Sequence, residues 1–338
     1  MKKFNELKLI SYIEGKIQGS YSDDLLLGIG DDAALIKGSK RDNLSVISTD
    51  SFNEQIHFRF DYADPYSVGI KLARVNISDI SAMGAIPKYI FLSINYNDST
   101  DFKVLKKIID GFLNAIQADN IDLAGGNISK IDSKLSFNVT IVGEQLKDKV
   151  ISRSNAKLGD SIYITGTPGE SSLGLYFLEQ ERLMANRSSI KRRLIDKHLR
   201  PPSRVQWGLA IAKHAIASSM IDISDGIILD LERLLNYNDR LSASIDLSDF
   251  PLSDSLKKVK RGIGDLFWER VLTGGEDYEL LFTVSKKVEP RLRELINKKT
   301  IVASKLGDVV KLRPYKDKIQ ISSGSVRALK LQNKGWIH

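Results

Sequence analysis

Acidic residues stand beside glycines or hydroxyl residues in five short segments of this chain: GIGDDAA at 28–34, STD at 48–50, NISDISAMGAIP at 76–87, IDISDG at 221–226 and TGGEDYELLFT at 273–283. A single carboxylate at a turn normally caps a helix or accepts a turn amide, and each segment taken alone has that structural reading. Five such segments in one chain call for more. Carboxylates that converge on one cleft repel each other unless a cation neutralises them. Mg2+ is the natural candidate, because it prefers oxygen ligands and completes its shell with water and substrate phosphates. The neighbouring glycines let backbone amides come close to phosphate oxygens. The combination points to a nucleotide held through several magnesium ions.

Other chemistries are excluded by composition and motif. The chain has no cysteine and four histidines, none paired at ligand spacing. That removes disulfides, iron–sulfur clusters and cysteine nucleophiles, and makes a zinc site improbable on composition alone. Neither a Walker phosphate loop nor a kinase glycine loop occurs, and GIGDDAA holds only the first half of a dinucleotide fingerprint. The net charge of +8 is spread through short basic pieces at Lys191–Arg193, Lys257–Arg261, Lys286–Lys287 and Lys298–Lys299. No aromatic residues alternate with them, so the expectation is a solvated basic surface and no nucleic-acid partner. No apolar stretch approaches a membrane span, and Glu6 and Glu14 interrupt the first apolar pattern, which reads as an amphipathic helix and not a secretory signal. A cytoplasmic protein without a membrane partner is expected.

The elements that must position these carboxylates follow from periodicity. Phe4, Leu7, Ile10, Ile13 and Ile17 recur at helical spacing, and strands are predicted at Ala33–Ile36 and Leu44–Ile47. Asp64 followed by Pro65 reads as an N-cap and first helical residue, opening a helix to about Ala82. A strand at Lys88–Tyr96, a helix capped by Thr100, and strands near Ile121–Ala124 and Leu135–Val142 complete the first half. The second half reads as strands at Ser161–Thr165, Met220–Ile223, Ser242–Asp246, Tyr278–Val284, Ile301–Ser304 and Ile319–Ser322, with helices between them. Alternation of strands and helices in both halves predicts an α/β (α+β) fold. The 338 residues suggest two domains, 1–148 and 149–338.

The ordered set GIGDD, STD, NISDISAMGAIP, GGN, RSNAKLGDSIYITGTPG, HLRPPSR, IDISDG and GGEDYEL resembles the thiamine-monophosphate kinase family, within the aminoimidazole ribonucleotide synthetase-like superfamily. The resemblance implies a two-domain fold whose amino-terminal sheet completes a barrel across a homodimer. It further implies direct transfer of the ATP γ-phosphoryl group onto thiamine monophosphate at a multi-magnesium site, giving thiamine diphosphate. Phosphoryl transfer depends mainly on positioning and charge neutralisation. The acceptor phosphate is already anionic at neutral pH, so no dedicated catalytic base is expected.

Carried over residue by residue, the resemblance implies metal ligation by Asp32, Ser48, Thr49, Asp50, Asp79, Asn127, Asp222 and Asp225. It implies ATP contacts from Gly125, Gly126, Arg153 and Ser224, and substrate contacts from His57, Glu276 and Trp336. Asp31 and His198 read as structural. One departure stands out: the family's Gly-Gly-Asp is Gly125-Gly126-Asn127 here, so a neutral amide replaces a carboxylate ligand. Two alternatives accompany the leading reading. One is another ATP-dependent activity of the same superfamily; the other is a nucleotide-binding protein whose catalysis is impaired by Asn127.

Overall fold

The computed structural model describes residues 23–27, 31–38, 42–180, 188–314, 317–322 and 333–336. The helix expected around residues 4–17 and the glycines of GIGDD lie outside the described residues. Two six-stranded sheets organise the rest. The first takes β1 (Leu25–Leu27), β2 (Ala34–Lys37), β3 (Asn43–Asn53), β4 (Ile86–Tyr96), β5 (Asp122–Lys130) and β6 (Ser136–Leu146) in the order β1-β2-β3-β6-β4-β5. The second takes β7 (Ser161–Thr165), β8 (Ser219–Asp222), β9 (Leu241–Asp246), β10 (Leu280–Val284), β11 (Ala303–Lys311) and β12 (Ile319–Ser322) in the order β12-β9-β11-β7-β10-β8. Pairing is antiparallel except for β4–β5 and β9–β12.

Helix α1 (Pro65–Ala82) is the central beam. Asp64 accepts a hydrogen bond from the Ser67 amide at 3.0 Å, with Pro65 in the first turn, as the sequence predicts. Most of its residues are buried, because it packs on the first sheet, on α2 (Phe102–Ala118) and on α5 (Val205–Lys213). Glycines make that density possible. A Cβ on Gly69 would sit 1.9 Å from the Ile108 carbonyl oxygen, and one on Gly111 would sit 2.0 Å from that of Tyr66. The two helices therefore cross at backbone contact distance.

Three sequence expectations need correction. Asp101, not Thr100, caps α2, accepting from the Lys103 amide at 2.8 Å; the Thr100 hydroxyl is tied back to Asn97. The strand expected at Ile121–Ala124 runs on as β5 to Lys130, so Gly125, Gly126 and Asn127 are strand residues and not a turn. The strand expected at Ile301–Ser304 begins at Ala303 and continues to Lys311. In both strands a glycine lowers the local strand signal, while neighbouring backbone makes room for it. The Cβ that Gly126 lacks would meet the Leu92 carbonyl oxygen at 1.9 Å.

The remaining helices are α3 (Glu170–Gln180), α4 (Ser189–Leu199), α6 (Ile227–Leu235), α7 (Asp254–Ile263), α8 (Leu266–Thr273) and α9 (Glu289–Asn297). Phe112, Phe137 and Ile90 lie in the same buried cluster as Ile221, Ile227 and Phe267, so one apolar core runs through both sheets' surroundings. Among the described residues, no helix is long and apolar enough to cross a membrane.

Candidate functional site

Asp32, Asp79 and Asp222 arrive from three distant parts of the chain. Asp32 lies just before β2, Asp79 in the last turn of α1 and Asp222 at the end of β8. One carboxylate oxygen from each lies within 4.8 Å of the others, the only such group of three among the described residues. Asp32 and Asp222 are buried. Strand alternation on β3 puts Ser48 and Asp50 on the same face as buried Val46, which packs toward α1. The Ser48 hydroxyl accordingly donates to Asp79 Oδ2 at 2.5 Å. Thr49 takes the opposite face, where its hydroxyl meets Val139 O and Thr140 Oγ1, each at 3.0 Å.

Electrostatics make this group unstable as bare anions. Burial, then Asp50, Asp222 and Asp32, push Asp79 well above the usual carboxylate range. Burial, then Asp32, does the same to Asp222, against a hydrogen bond from the Ser78 hydroxyl at 2.6 Å. Arg153 supplies one compensating charge. Its Nε donates to Asp32 Oδ2 at 2.8 Å and its Nη2 to Asp32 Oδ1. Asp31 accepts from the backbone amides of Arg153 and Asp32, and burial followed by Asp32 raises it to about 6. An all-oxygen donor set with excess negative charge fits a hard divalent cation.

Asp225 does not join the group despite its spacing of three from Asp222. It is turned onto Arg233 Nη1 at 2.5 Å, and the same guanidinium holds Asp230 at 2.8 Å. Asp230, absent from the sequence reading, shapes this turn. Its Oδ2 accepts from the backbone amides of Ser224, Asp225 and Gly226 at 3.0–3.1 Å. Asn127 is also outside the group. It is exposed on edge strand β5, opposite Ser93 and three strands from β3, with Gly125 and Gly126 beside it.

Two of the residues expected on the substrate side, His57 and Glu276, meet around a cation that sequence reasoning missed. Lys71, 3% exposed on α1, places Nζ 2.6 Å from Glu276 Oε1, 3.4 Å from the His57 carbonyl oxygen and 3.4 Å from His198 Nε2. Burial alone would raise Glu276, but Lys71, followed by His198, holds it below the ordinary glutamate value. His198 is fully buried, and burial followed by Lys71 lowers it to about 3. The Glu276 amide donates to the Ser224 carbonyl at 2.8 Å, joining this side to the 222–226 turn. Trp336, half exposed, is tied to the same turn by its amide, which donates to the Asp225 carbonyl at 2.9 Å. The signal for Lys71 was available: it lies seven residues before Ser78, two turns along one face of α1. Asp230 was similarly marked by its place in the first turn after IDISDG. A cavity of about 560 Å³ opens elsewhere, between Glu54, Tyr62, Asp64, Thr100 and Leu135, and holds none of these residues.

Residues 30–145 match the family described as AIR synthase related protein, N-terminal domain. Over 300 residues the chain is 40% identical to thiamine-monophosphate kinase of Buchnera aphidicola subsp. Acyrthosiphon pisum, covering 89% of each chain. It is 38% identical to that of Escherichia coli K12 over 279 residues, 82% of each. Among solved structures, AaThiL complexed with AMPPCP and TMP superposes with a TM-score of 0.83 at 30% identity, over 100% of this chain and 98% of that one.

Proposed function

The chain belongs to the thiamine-monophosphate kinase family, and we propose that it transfers the γ-phosphoryl group of ATP to the phosphate of thiamine monophosphate, giving thiamine diphosphate and ADP. The observation that carries this reading is the convergence of Asp32, Asp79 and Asp222 from both halves of the chain on one oxygen-lined point. Two polyanions can approach each other only where their charge is screened. Asp32, Asp79 and Asp222, with Asp50 and Ser48 beside them, would hold Mg2+. Such an ion, when bound, supplies charge neutralisation to the phosphates.

The chain's own groups do the rest. Arg153 is a bidentate donor already aimed at the acidic group, placed to take phosphate oxygens of the nucleotide. The Ser224 turn, held by Asp230, stands between the acidic group and Glu276. Glu276, His57 and Trp336 form the side for thiamine monophosphate, with Trp336 offering a ring face to the thiazolium cation. Asp225 reaches the nucleotide's ions only by leaving Arg233. Thr49 contributes through its carbonyl, since its hydroxyl faces away, and Asn127 with Gly125 and Gly126 stands where the resemblance puts a further ligand strand. The in-line geometry needs no general base, because the acceptor oxygen is already an anion.

The proposal extends to a division at residues 148/149, a homodimer and a cytoplasmic setting. Ile86, Tyr89 and Phe91 on the outer face of β4 are all at least 40% exposed, an apolar strip that a twofold mate would cover. Incubation of the purified protein with ATP, Mg2+ and thiamine monophosphate, followed by chromatography for thiamine diphosphate, tests the function. Product formation is expected. ATP binding without product would favour the nucleotide-binding reading through Asn127, and product from a different phosphorylated acceptor would favour another superfamily activity.

A further inference from the structure

Lys71 is a buried cation with no role in the acidic group, and its three contacts tie together pieces otherwise separate in the chain. The Glu276 carboxylate comes from the segment before β10, the His57 carbonyl from the turn after β3, and His198 from the last turn of α4. We propose that Lys71 is a positioning residue for the thiamine-phosphate side of the site: it fixes the Glu276 carboxylate and the His57 turn against each other, and so sets affinity for that substrate without touching it. This rests on the function proposed above.

The geometry is specific. Glu276 sits at φ +58°, between Gly275 at +67° and Asp277, with Tyr278 at +49°. Left-handed backbone at a residue with a Cβ persists only when its surroundings hold it. Here the Glu276 amide is held by Ser224 O, and its two carboxylate oxygens face Lys71 Nζ at 2.6 Å and His198 Nδ1 at 3.5 Å. Lysine has donors only, so His198 Nε2 must accept. That places the imidazole proton on Nδ1, toward Glu276 Oε2 and Ser171 Oγ, the latter at 3.2 Å. One oxygen of Glu276 is thereby held by Lys71 while the other faces His198, and the side chain remains about a quarter exposed. Lys71 itself is 3% exposed, too little to form a surface contact for a ligand. Its charge therefore acts through Glu276 and His57. The low His198 value agrees with a neutral ring buried beside the Lys71 side chain.

The test is a two-residue cycle with steady-state kinetics for both substrates. Lys71→Met keeps the length and removes the charge, so the Michaelis constant for thiamine monophosphate should rise about tenfold or more. Neither the Michaelis constant for ATP nor kcat should move more than about twofold, because Arg153 and the acidic group are untouched. In a Glu276→Gln background, Lys71→Met should add less than about twofold, since its target has lost its charge. Lys71→Arg keeps the charge and should recover most of the affinity. If Lys71→Met does not fold, Lys71→Gln, which also removes the charge, carries the same cycle with Glu276→Gln. Equal losses for both substrates, additive losses in the double variant, or an unchanged Michaelis constant for thiamine monophosphate would overturn the proposal. A wild-type protein that makes no thiamine diphosphate would remove the function first and this role with it. An active wild type with an indifferent Lys71 would remove this role alone.

Discussion

The Ser78 hydroxyl donates to Asp222 Oδ2 at 2.6 Å, joining α1 to the end of β8 across 144 residues of sequence with both side chains buried. The bond links α1, which packs on the first sheet, to the second sheet at the carboxylate group itself, so stability and site geometry share one contact. Ser78→Ala leaves a buried carboxylate short of a donor. A loss of about 1–3 kcal/mol in unfolding free energy is expected, read from a urea titration. A change below about 0.5 kcal/mol would mean that water replaces the hydroxyl without cost.

Asp222→Asn should separate folding from ion binding. The amide oxygen can still accept from Ser78, while the repulsion from Asp32 and Asp79 is relieved. In chelator the variant should melt at the wild-type temperature or higher. Added Mg2+ and ATP should then stabilise it much less than wild type, because ligand stabilisation follows affinity for the folded state. Equal shifts in both proteins would remove Asp222 from the site.

How far the sequence foresaw this site depends on which physical rule each residue obeys. Asp32, Asp79 and Asp222 were legible because carboxylates on glycine- or hydroxyl-flanked segments have few other uses in such number. The Asp64–Pro65 start of α1 was legible because capping is local. Lys71 was marked only by sharing a face of α1 with Ser78, and Asp230 only by its place just after IDISDG; what they do comes from burial and from partners that spacing alone does not reveal. Asp225 misled for the complementary reason. Spacing of three put it beside Asp222, but Arg233, eight residues further on, claims its side chain in the structure. The extents of β5 and β11 were missed where glycines suppress strand propensity and only contact with a neighbouring strand restores it.

Two buried groups give stability opposite dependences on pH. Burial is the main cause that raises Asp277 to about 8, although it accepts from the Gly169 and Ser171 amides. The fold therefore binds a proton that the unfolded chain releases. Its contribution is complete below about pH 4 and is lost as pH rises toward 8. His198, lowered to about 3, works the other way: its contribution is complete above about 6.5 and is lost as pH falls toward 3. Asp277→Asn should flatten the decline in melting temperature between pH 6.5 and 8, where His198 no longer titrates. His198→Gln should flatten the acid-side loss between pH 6.5 and 4.5. Parallel curves for wild type and a variant would exclude the corresponding group.

Trp336 is 57% exposed, against 7% for Trp268 in the apolar core, and its backbone is pinned at the Asp225 turn. Thiamine monophosphate should change its fluorescence. Trp336→Ala should raise the Michaelis constant about tenfold, from the loss of roughly 1–2 kcal/mol of stacking and cation–π energy. The ATP constant should not move. A Trp336→Ala enzyme with wild-type kinetics would reduce this residue to a surface contact of the chain end.

Asn127 offers the sharpest test of the ion requirement. Its amide oxygen can coordinate Mg2+, but it brings no charge, and its strand lies three places from β3 in the sheet. A protein ligand or its orienting partner is worth about 10–100-fold in metal affinity, roughly 1.4–2.8 kcal/mol. The buried carboxylates keep their own attraction for ions, so a weakened site is expected and not a dead one. Transfer should proceed at millimolar Mg2+, and Asn127→Asp should lower the Mg2+ concentration giving half the maximal rate. Transfer that appears only in Asn127→Asp would make the natural chain a nucleotide-binding protein without turnover. An Mg2+ dependence that the substitution leaves untouched would place β5 outside the ion site and leave charge neutralisation to Asp32, Asp50, Asp79 and Asp222.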